Sequence, residues 1–192
     1  GIVDFMATRG LQMRPSASSR WGSHDAKQIL IKGATPFMTG GETEGATVAV
    51  DFFSALVMPT AYAFSSVHHI IPGCFPRTWK LQGSMDAILW TTLREHTDDD
   101  SFDADRQTVV FKIEPPARPA PRARRGGGDG SPPASPTKKP ATPATGGDDE
   151  QLCEGVYRHF RLVNGGPNSS GTEELQVHGL EIYGNLMFVQ PD

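Results

Sequence analysis

The sequence predicts an all-β fold, either a sandwich or a barrel. Short runs in which apolar and polar residues alternate recur along the chain, as in residues 47–53, where Val48, Val50 and Phe52 share one face. Glycine, proline and other turn-forming residues separate these runs. No stretch of useful length shows the apolar spacing of a helix. The 192 residues are enough for one domain with its own hydrophobic core.

The first third of the chain contains few regular runs. Residues 2–6 are short and apolar, which predicts one strand, and residues 10–46 predict a long loop with a short strand near Ile29. Residues 56–64 predict a further strand. Pro59 within this strand indicates an edge position, because proline cannot donate a hydrogen bond to a neighbouring strand.

The best-defined unit of the chain is a predicted hairpin rich in tryptophan. Trp79 and Leu81 alternate with polar residues and predict a half-buried strand. Turn-forming residues follow at 83–86, and a second strand carries Trp90 and Leu93. We expect Trp79 to lie in the hydrophobic core rather than in a binding site, because it shares the apolar face with Leu81.

The second half of the chain predicts three more strands, at residues 107–113, 155–163 and 175–183. The acidic residues 97–106 and the polar residues 164–171 predict surface loops between strands. We expect the buried side chains of these strands to be Val109, Phe111, Ile113, Phe160, Leu162, Leu175, Val177, Leu180 and Ile182.

Residues 115–150 differ in composition from the rest of the chain. This segment has nine prolines and six glycines, but it has no aromatic residue and no leucine, isoleucine, valine or methionine. Such a composition cannot bury enough apolar surface to offset the entropy lost on ordering. We therefore predict one single domain over residues 1–192, interrupted by a disordered insertion at 115–150 whose two ends lie close together.

Charge and cysteine content exclude several classes of protein. The net charge is −4, and the insertion holds six basic and four acidic residues, so the predicted folded part is acidic and a poor candidate for nucleic-acid binding. No apolar run is long enough to span a membrane. Cys74 and Cys153 fit no paired metal-ligand spacing, and we expect two unpaired thiols in a reducing compartment. Gly1 in place of an initiating methionine indicates a segment of a longer protein.

Several motifs, taken together, resemble the intracellular branch of the discoidin family, also called the coagulation factor V/VIII type C domain. The similarity covers about residues 47–184 apart from the insertion, and it extends to domains of HECT-type ubiquitin ligases and BTB-domain adaptors. The motifs are Val50-Asp51-Phe52, Pro59-Thr60-Ala61-Tyr62-Ala63, Arg77-Thr78-Trp79-Lys80-Leu81-Gln82-Gly83-Ser84-Met85-Asp86, Trp90-Thr91-Thr92-Leu93-Arg94-Glu95-His96, Gly155-Val156-Tyr157-Arg158-His159-Phe160-Arg161-Leu162, Gly166-Pro167-Asn168-Ser169-Ser170-Gly171 and Gly179-Leu180-Glu181-Ile182-Tyr183-Gly184.

This resemblance implies an eight-stranded antiparallel jelly-roll β-sandwich of the galactose-binding-like type. It also implies a non-catalytic binding module whose ligands meet loops at one end of the sandwich, here residues 21–39, 65–76 and 165–171. The ubiquitin-ligase relatives imply an intracellular, cytoplasmic setting. The chain departs from the secreted members of the family, which carry a cysteine near each terminus, and the insertion at 115–150 is not part of their pattern.

On this basis we expect a binding site for a protein or peptide partner at the implied loop end. The adjacent residues His68 and His69 could instead bind a metal ion. Side chains of neighbouring residues on a strand point to opposite faces, however, which favours polar surface contact. The loop isoleucines either cap the sandwich or form an apolar patch for the partner. We expect Asp99 and Asp103 to lie at the opposite end. The predicted partner-binding residues are His68, His69, Ile70, Ile71, Arg77, Asn168, Ser169 and Ser170.

No catalytic constellation is visible, so we predict no enzyme and no cofactor. Cys153 stands beside the insertion, and no serine lies in a nucleophile elbow. Asn168 matches an acceptor sequence for N-glycosylation. In an intracellular protein, however, the better interpretation of this sequence is a turn whose side chains satisfy backbone groups. Two alternatives to protein recognition stay open: a glycan- or lipid-binding lectin-like domain, and a purely architectural domain of a large assembly.

Overall fold

The chain folds as two packed antiparallel β-sheets with short helical segments at one side. The computed structural model describes residues 1–31, 37–41, 45–66, 74–103, 107–114 and 155–189. Within these ranges no helix is long and apolar enough to cross a membrane. The elements in chain order are helix α1 (Ile2–Thr8), β1 (Arg14–Ala17), a 3₁₀ helix (Ala26–Leu30), β2 (Phe37–Met38), β3 (Thr47–Asp51), β4 (Ala55–Ser66), β5 (Trp79–Ser84), β6 (Thr91–His96), β7 (Gln107–Lys112), β8 (His159–Asn164) and β9 (Gln176–Phe188).

Nine strands are thus seen in the described ranges, and they confirm the predicted sandwich. One sheet has the order β1-β3-β8-β5-β6 and the other the order β2-β9-β4-β7. Every strand pair is antiparallel. The strands β5 and β6 form the predicted hairpin, but its turn spans residues 85–90 rather than 83–86. Gly83 and Ser84 still pair within β5, and Trp90 precedes β6 instead of lying in it. Neighbours in each sheet are mostly distant in sequence, which is the long-range connectivity of a jelly roll rather than of a simple meander.

The core between the sheets is rich in aromatic side chains. Trp79, Tyr62, Phe64 and Phe160 are fully buried and belong to one continuous apolar cluster. The Trp79 ring meets the Phe64 ring edge to face, with centroids 5.7 Å apart. Burial of the alternating residues confirms the predicted faces of β3, β5, β7, β8 and β9, except that Val109 is only half-buried against the core. These residues include Val48, Val50, Phe52, Leu81, Phe111, Ile113, Leu162, Leu175, Val177, Leu180 and Ile182.

The strand predicted at residues 2–6 is wrong, because this segment forms helix α1. Ile2, Val3 and Met6 are buried in the core cluster, and this spacing places them on one helical face. The carboxylate of Glu181 accepts hydrogen bonds from the backbone N–H groups of Val3 and Asp4 at the start of the helix. A carboxylate at this position satisfies N–H groups that have no partner inside a helix.

The strand predicted near Ile29 is also wrong, because Ile29 lies in the 3₁₀ helix. The side chain of Asp25 accepts a hydrogen bond from the Lys27 N–H, and the Gln28 side chain accepts one from the Asp25 N–H. This reciprocal capping fixes a helical turn that buries Ile29 completely. The apolar triplet around Ile29 therefore reflects burial of one turn and not a strand.

The edge position predicted for the strand of Pro59 is wrong as well. Strand β4 lies between β9 and β7. Its pairing with β7 begins only at Ala61, and the register with β9 shifts between Pro59 and Ala61. The missing N–H of Pro59 therefore falls outside the β7 ladder, so a central strand tolerates it at this irregularity.

Residues 115–150, where the disordered insertion was predicted, lie outside the described residues. The segments that flank it contact the same strand, β4. The Ile113 N–H donates to the Thr60 carbonyl at 2.9 Å, and Tyr157 forms a two-bond bridge with Val57. Thr60 and Val57 are three residues apart in β4, which corresponds to about 10 Å along a strand. The two ends of the connection are therefore anchored near each other.

Candidate functional site

Three connections between the sheets meet at one end of the sandwich, which we call the loop end. They comprise the described residues 74–78, 97–103 and 165–175. The first range belongs to the connection from β4 to β5, the second to the connection from β6 to β7, and the third to the connection from β8 to β9. The pairing of Trp79, the first residue of β5, with both His96 and Asn164, the last residues of β6 and β8, brings the three strand ends together.

Backbone hydrogen bonds join the first and third of these loops. The Gly165 N–H donates to the Thr78 carbonyl at 2.9 Å, and the Ser169 N–H donates to the Phe75 carbonyl at 2.9 Å. The Ser169 hydroxyl accepts a hydrogen bond from the Phe75 N–H at 2.8 Å. A Cβ atom on Gly165 would come within 2.9 Å of the Thr78 methyl group, so the close approach of the loops depends on this glycine.

The acidic loop lies at the loop end, which corrects the expectation that Asp99 and Asp103 lie opposite. The Asp99 N–H donates to the Arg77 carbonyl at 2.8 Å, and the Arg77 guanidinium donates to the Asp99 carbonyl at 3.3 Å. Asp103 contacts the first residue of β7, since its N–H donates to the Gln107 side chain. The physical reason is topological, because the loop joins the end of β6 to the start of β7, and both lie at this end.

The Trp21 segment lies next to the third loop. The Trp21 N–H donates to the Met38 carbonyl at 3.0 Å, and the Thr39 N–H donates to the Leu175 carbonyl at 3.1 Å. The Trp21 side chain is 44% exposed, and its ring centroid lies 5.7 Å from that of His24. The described parts of residues 21–39, 65–76 and 165–171, the three loops that the family resemblance places together, thus occupy the same end.

An open cleft of about 540 Å³ lies between the three connections at residues 74–78, 97–103 and 165–175. Arg77, Asn168 and Ser169, three of the predicted site residues, line it together. His68, His69, Ile70 and Ile71 lie outside the described residues. The described residues that line the cleft are Arg77, Thr78, Asp98, Asp100, Pro167, Asn168 and Ser169.

Arg77 and two carboxylates supply the charge of the cleft. Asp98 and Asp100 are exposed, and Arg77 is half-buried. Within the described ranges no carboxylate forms an ion pair with Arg77. A guanidinium has five N–H donors, and the contact with the Asp99 carbonyl uses one of them. The remaining donors are available to a carboxylate, carbonyl or hydroxyl oxygen of a ligand.

Asn168 is buried and shapes the third loop. Its side-chain oxygen accepts hydrogen bonds from the N–H groups of Ser170 and Thr172, at 3.0 and 3.2 Å. Its side-chain nitrogen donates to the Thr172 hydroxyl and to the Glu174 carbonyl, at 2.8 and 3.2 Å. These four bonds use the usual capacity of an amide side chain. The turn interpretation of this residue therefore has a geometric basis.

Ser170, the remaining predicted site residue, lies beside the cleft rather than in its described lining. Its side chain is exposed, and the Cys74 thiol donates to its hydroxyl at 3.5 Å. Cys74 is itself buried and carries a free thiol. Cys153, the second predicted free thiol, lies outside the described residues.

A chain of buried polar side chains runs from the core to this end, and sequence reasoning missed it. The Trp79 indole N–H donates to the Tyr62 hydroxyl at 2.8 Å, and that hydroxyl lies 2.9 Å from His96 Nε2. His96 Nδ1 lies 2.5 Å from the Asp99 carboxylate. The Trp79 and His96 rings are stacked, with centroids 4.1 Å apart. The only sequence signal for this chain of side chains is Asp99, which follows His96 by three residues at the end of a predicted strand.

The donor pattern of this chain assigns the proton of His96. An indole N–H can only donate, so the Tyr62 hydroxyl accepts from Trp79. The ionised Asp99 carboxylate can only accept, so the imidazole carries a proton on Nδ1, which faces Asp99. In a neutral imidazole Nε2 is then the acceptor, and the Tyr62 hydroxyl donates its proton to it. Burial lowers the pKa of His96, although the neighbouring Asp99 carboxylate opposes this shift. A neutral imidazole satisfies every member of the chain.

Asp99 itself is held ionised by its hydrogen bonds. Burial raises the pKa of this carboxyl group, but hydrogen bonds from Ser101 and His96 outweigh burial and lower it overall. Because the backbone of Asp99 also bonds with Arg77, the buried chain positions one rim of the cleft.

Comparison with known proteins identifies the fold. The solved structures that superpose on this chain include a module named CpGH89CBM32-5 from Clostridium perfringens in complex with GalNAc-β-1,3-galactose. It is 13% identical, with a TM-score of 0.55 over 89% of this chain and 94% of that one. The family 32 carbohydrate-binding module of C. perfringens NanJ, in complex with galactose, is 11% identical, with a TM-score of 0.54 over 91% and 93%.

The C-terminal domain of a chitobiase from Bacteroides fragilis superposes with a TM-score of 0.56 and 10% identity, over 91% of this chain and 95% of that one. At these levels of identity the similarity shows the fold alone. The chain therefore has the discoidin, or galactose-binding-like, jelly-roll fold. No protein-family profile matches the sequence.

One curated protein resembles the sequence itself. It is the E3 ubiquitin-protein ligase Ufd4 of Drosophila melanogaster, which is 31% identical over 152 residues, or 79% of this chain. The chain spans 4% of the length of that protein. The similarity therefore concerns one segment of a much larger polypeptide.

Proposed function

We propose that this chain is a non-catalytic binding module that recognises a protein or peptide partner through the cleft at the loop end. The observation that carries the proposal is the cleft between the loops of Arg77, Asp98 and Asn168. Its lining includes a guanidinium without a carboxylate partner in the described ranges and two exposed aspartates, Asp98 and Asp100. Three separate loops, tied together by backbone hydrogen bonds, form its walls. A binding site pre-organised in this way loses little entropy when a ligand enters.

The chemistry of the cleft favours a peptide over a sugar. A peptide carries charged groups of both signs as well as amide donors and acceptors, and these match the guanidinium of Arg77 and the carboxylates of Asp98 and Asp100. A sugar ring presents hydroxyl groups and an apolar face. No aromatic side chain is among the described lining residues that could pack against such a face.

The partner-binding module belongs, in this proposal, to a larger intracellular protein. The similarity to a segment of the Ufd4 ligase supports a role as a substrate- or scaffold-binding part of a ubiquitin ligase. The superposed solved structures are named as carbohydrate-binding modules or as the terminal domain of a chitobiase, which supports a binding role rather than a catalytic one.

Glycan binding is the second candidate, and a specific observation favours it. Two of the superposed modules were solved with galactose or with GalNAc-β-1,3-galactose. Such a ligand would use Arg77 and the two cleft carboxylates as hydrogen-bonding partners for hydroxyl groups. This candidate requires the same cleft, so the two differ only in the ligand that binds.

The experiment is a peptide-display selection with this chain, together with calorimetric titration of galactose and GalNAc-β-1,3-galactose. The cleft variant is Arg77→Ala with Asp98→Ala. The matched control is Lys80→Ala with Glu95→Ala, because that exposed ion pair on β5 and β6 also loses one charge of each sign.

We expect selected peptides to bind the parent chain and the control, and to lose at least ten-fold in affinity for the cleft variant. Binding of either sugar in the absence of any cleft-dependent peptide would replace the proposal by glycan recognition. Peptides that bind all three proteins equally would place recognition outside the cleft.

A further inference from the structure

One edge of the β2-β9-β4-β7 sheet is open at the end of the sandwich away from the cleft. Strand β9 begins at Gln176, next to the loop end, and runs to Phe188 at the opposite end. Strand β2 pairs with it only at Val177 and Gln176. Residues 184–188 of β9 therefore have β4 on one side and, among the described residues, no strand on the other. We call residues 184–188 the free edge.

The pairing with β4 shows which backbone groups of the free edge lack a partner. Val57 exchanges two hydrogen bonds with Tyr157, so its N–H and C=O point away from β9. Leu186 lies opposite Val57 and so belongs to a pair without hydrogen bonds, which turns its own N–H and C=O to the free side. The Ala55 N–H also bonds away from β9, which gives its partner Phe188 the same orientation. No described residue bonds to these outward groups.

The other strand edges of the two sheets carry features that discourage pairing with another chain. Strand β1 has four residues and contains Pro15, and β2 has only two residues. Strand β6 carries Arg94 and Glu95 and an irregular register with β5, and β7 carries Lys112. Short strands, proline, charges and bulges all protect an edge from a second strand. The free edge reads Gly-Asn-Leu-Met-Phe and has neither a proline nor a charge.

The free edge is accessible, and apolar side chains surround it. Gly184 is exposed, so its backbone is open to solvent. Phe188 is 52% exposed, and Val189, which follows it, is 51% exposed. Their apolar area is removed from water only when another molecule covers it. A strand that pairs here would thus satisfy the outward backbone groups and cover these side chains at the same time.

We propose that the free edge pairs with the free edge of a second copy of this chain, antiparallel about a two-fold axis at Leu186. Leu186 then lies opposite Leu186 of the second copy, and Phe188 lies opposite Gly184. Both are pairs of the hydrogen-bonded type, because the N–H and C=O groups of Leu186 and Phe188 point outward. The two four-stranded sheets join into one continuous sheet.

A second copy is the favoured partner because the free edge is complementary to itself. Gly184 has no side chain, and a Cβ atom there would collide with the Met58 carbonyl oxygen, so the position requires glycine. Phe188 of the second copy packs beside it, and an aromatic residue opposite an edge glycine compensates for the contacts that glycine lacks. No residue between Tyr183 and Val189 is charged, so self-pairing brings no like charges together.

The size and symmetry of the contact define the kind of dimer. Five residues of each copy pair, whereas a standard protein interface holds about 20–30 residues on each side. The expected dissociation constant is therefore on the order of 10–100 μM. A two-fold pair uses both free edges, so association stops at the dimer. Each cleft lies at the other end of its sandwich, so dimerisation leaves both clefts free.

Sedimentation velocity of the chain over about 5–500 μM tests the proposal. The edge variant is Phe188→Lys, because lysine is a residue that protects natural sheet edges. The matched control is Val110→Lys, since Val110 is also exposed (58%) but lies on β7. We expect the parent chain and the control to dimerise equally, and the edge variant to dimerise at least ten-fold more weakly. The cleft variant Arg77→Ala with Asp98→Ala should dimerise like the parent chain.

Hydrogen exchange measured by NMR locates the contact without any substitution. The amides of Leu186 and Phe188, which have no partner within one copy, should exchange more slowly as the protein concentration rises. The amides of Asn185 and Met187 point to β4 and should change little. Protection that alternates along the strand in this way identifies edge pairing, and it decides the question if the lysine variant does not fold.

Several results would overturn the proposal. The first is a parent chain that stays monomeric over the whole concentration range. The second is a dimer that Phe188→Lys leaves intact, or one that gives no added protection at Leu186 and Phe188. Protection at these amides only after addition of a display-selected peptide would assign the free edge to a strand of another protein. Species larger than a dimer would show that the association does not close about a two-fold axis.

Discussion

The hydroxyl of Tyr62 in β4 lies 2.9 Å from Nε2 of His96 at the end of β6, and this hydrogen bond crosses from one sheet to the other. Trp79 donates to the same hydroxyl, and His96 contacts Asp99 in the acidic loop. The most buried aromatic residues of the core are thus connected to one rim of the candidate cleft. Stability of the core and the shape of the cleft therefore depend on a shared set of bonds.

Removal of the Tyr62 hydroxyl tests this connection. Tyr62→Phe leaves the Trp79 indole N–H and His96 Nε2 without partners in the core, and an unsatisfied buried group costs about 1–3 kcal/mol. We expect the free energy of unfolding, measured in urea, to fall by an amount in this range. Tyr157→Phe is the control and should change it by less than about 0.5 kcal/mol, because no described residue hydrogen-bonds the Tyr157 hydroxyl.

The pH dependence of stability follows from the lowered pKa of His96. The unfolded histidine has its ordinary pKa of 6.5, whereas burial lowers the pKa in the folded state. Between the two values the unfolded state binds more protons, so the free energy of unfolding decreases as the pH falls below about 6.5. His159 and His178 shift in the same direction, also through burial.

Titration of the histidine C2–H resonances by NMR separates these three contributions. We expect the folded pKa of His96 to lie below 6.5, and chemical denaturation at pH 7.5 and pH 5.5 to give the lower stability at pH 5.5. The loss should persist when His159 and His178 are both replaced by Asn. A His96 pKa above 6.5 would mean that the imidazole is charged and that the proton assignment along the buried chain is wrong.

Trp79→Ala tests the assignment of the hairpin to the core. Trp79 is fully buried and stacks on His96, so its truncation should cost roughly 3–5 kcal/mol in the free energy of unfolding. Trp21→Ala is the comparison, since that ring is 44% exposed, and it should cost much less. Equal losses for the two variants would contradict the described core.

Replacement of residues 115–150 by a short Gly/Ser linker should leave the melting temperature within a few degrees. The flanking residues Ile113 and Tyr157 are anchored on the same strand, at Thr60 and Val57, so a short linker is sufficient to join them. Differential scanning calorimetry of the two proteins is the measurement. Loss of cooperative unfolding on replacement would show that the segment contributes a structural element to the domain.

Alternation of apolar residues was sufficient to predict most of the sheet. Val48, Val50 and Phe52 in β3, and Phe160 and Leu162 in β8, are buried as expected, because one face of each strand packs on the core. The same reasoning failed for residues 2–6 and for Ile29. A run this short carries too few apolar positions to distinguish the strand period from the helical one.

The site was harder to predict than the fold, because it depends on contacts between distant loops. The grouping of Arg77, Asn168 and Ser169 followed from the family resemblance. The resemblance did not predict the location of Asp99, because only the strand topology shows at which end of the sandwich the acidic loop lies. The side-chain amide of Asn168 forms its hydrogen bonds within its own loop, and no sequence pattern predicts these bonds. The exposed Ile88 was also missed, because the pattern indicates burial for apolar residues near a strand.

The central claim is that ligand recognition takes place in the cleft at the loop end. The most direct measurement is NMR chemical-shift mapping of the ¹⁵N-labelled chain during titration with a peptide selected by display. We predict perturbations at the backbone amides of Arg77, Asp98, Asp100 and Ser169, with none at the hairpin tip around Ile88. Perturbations confined to the hairpin tip or to the exposed face of β5 and β8, with the amides at the cleft unchanged, would contradict this account of the protein.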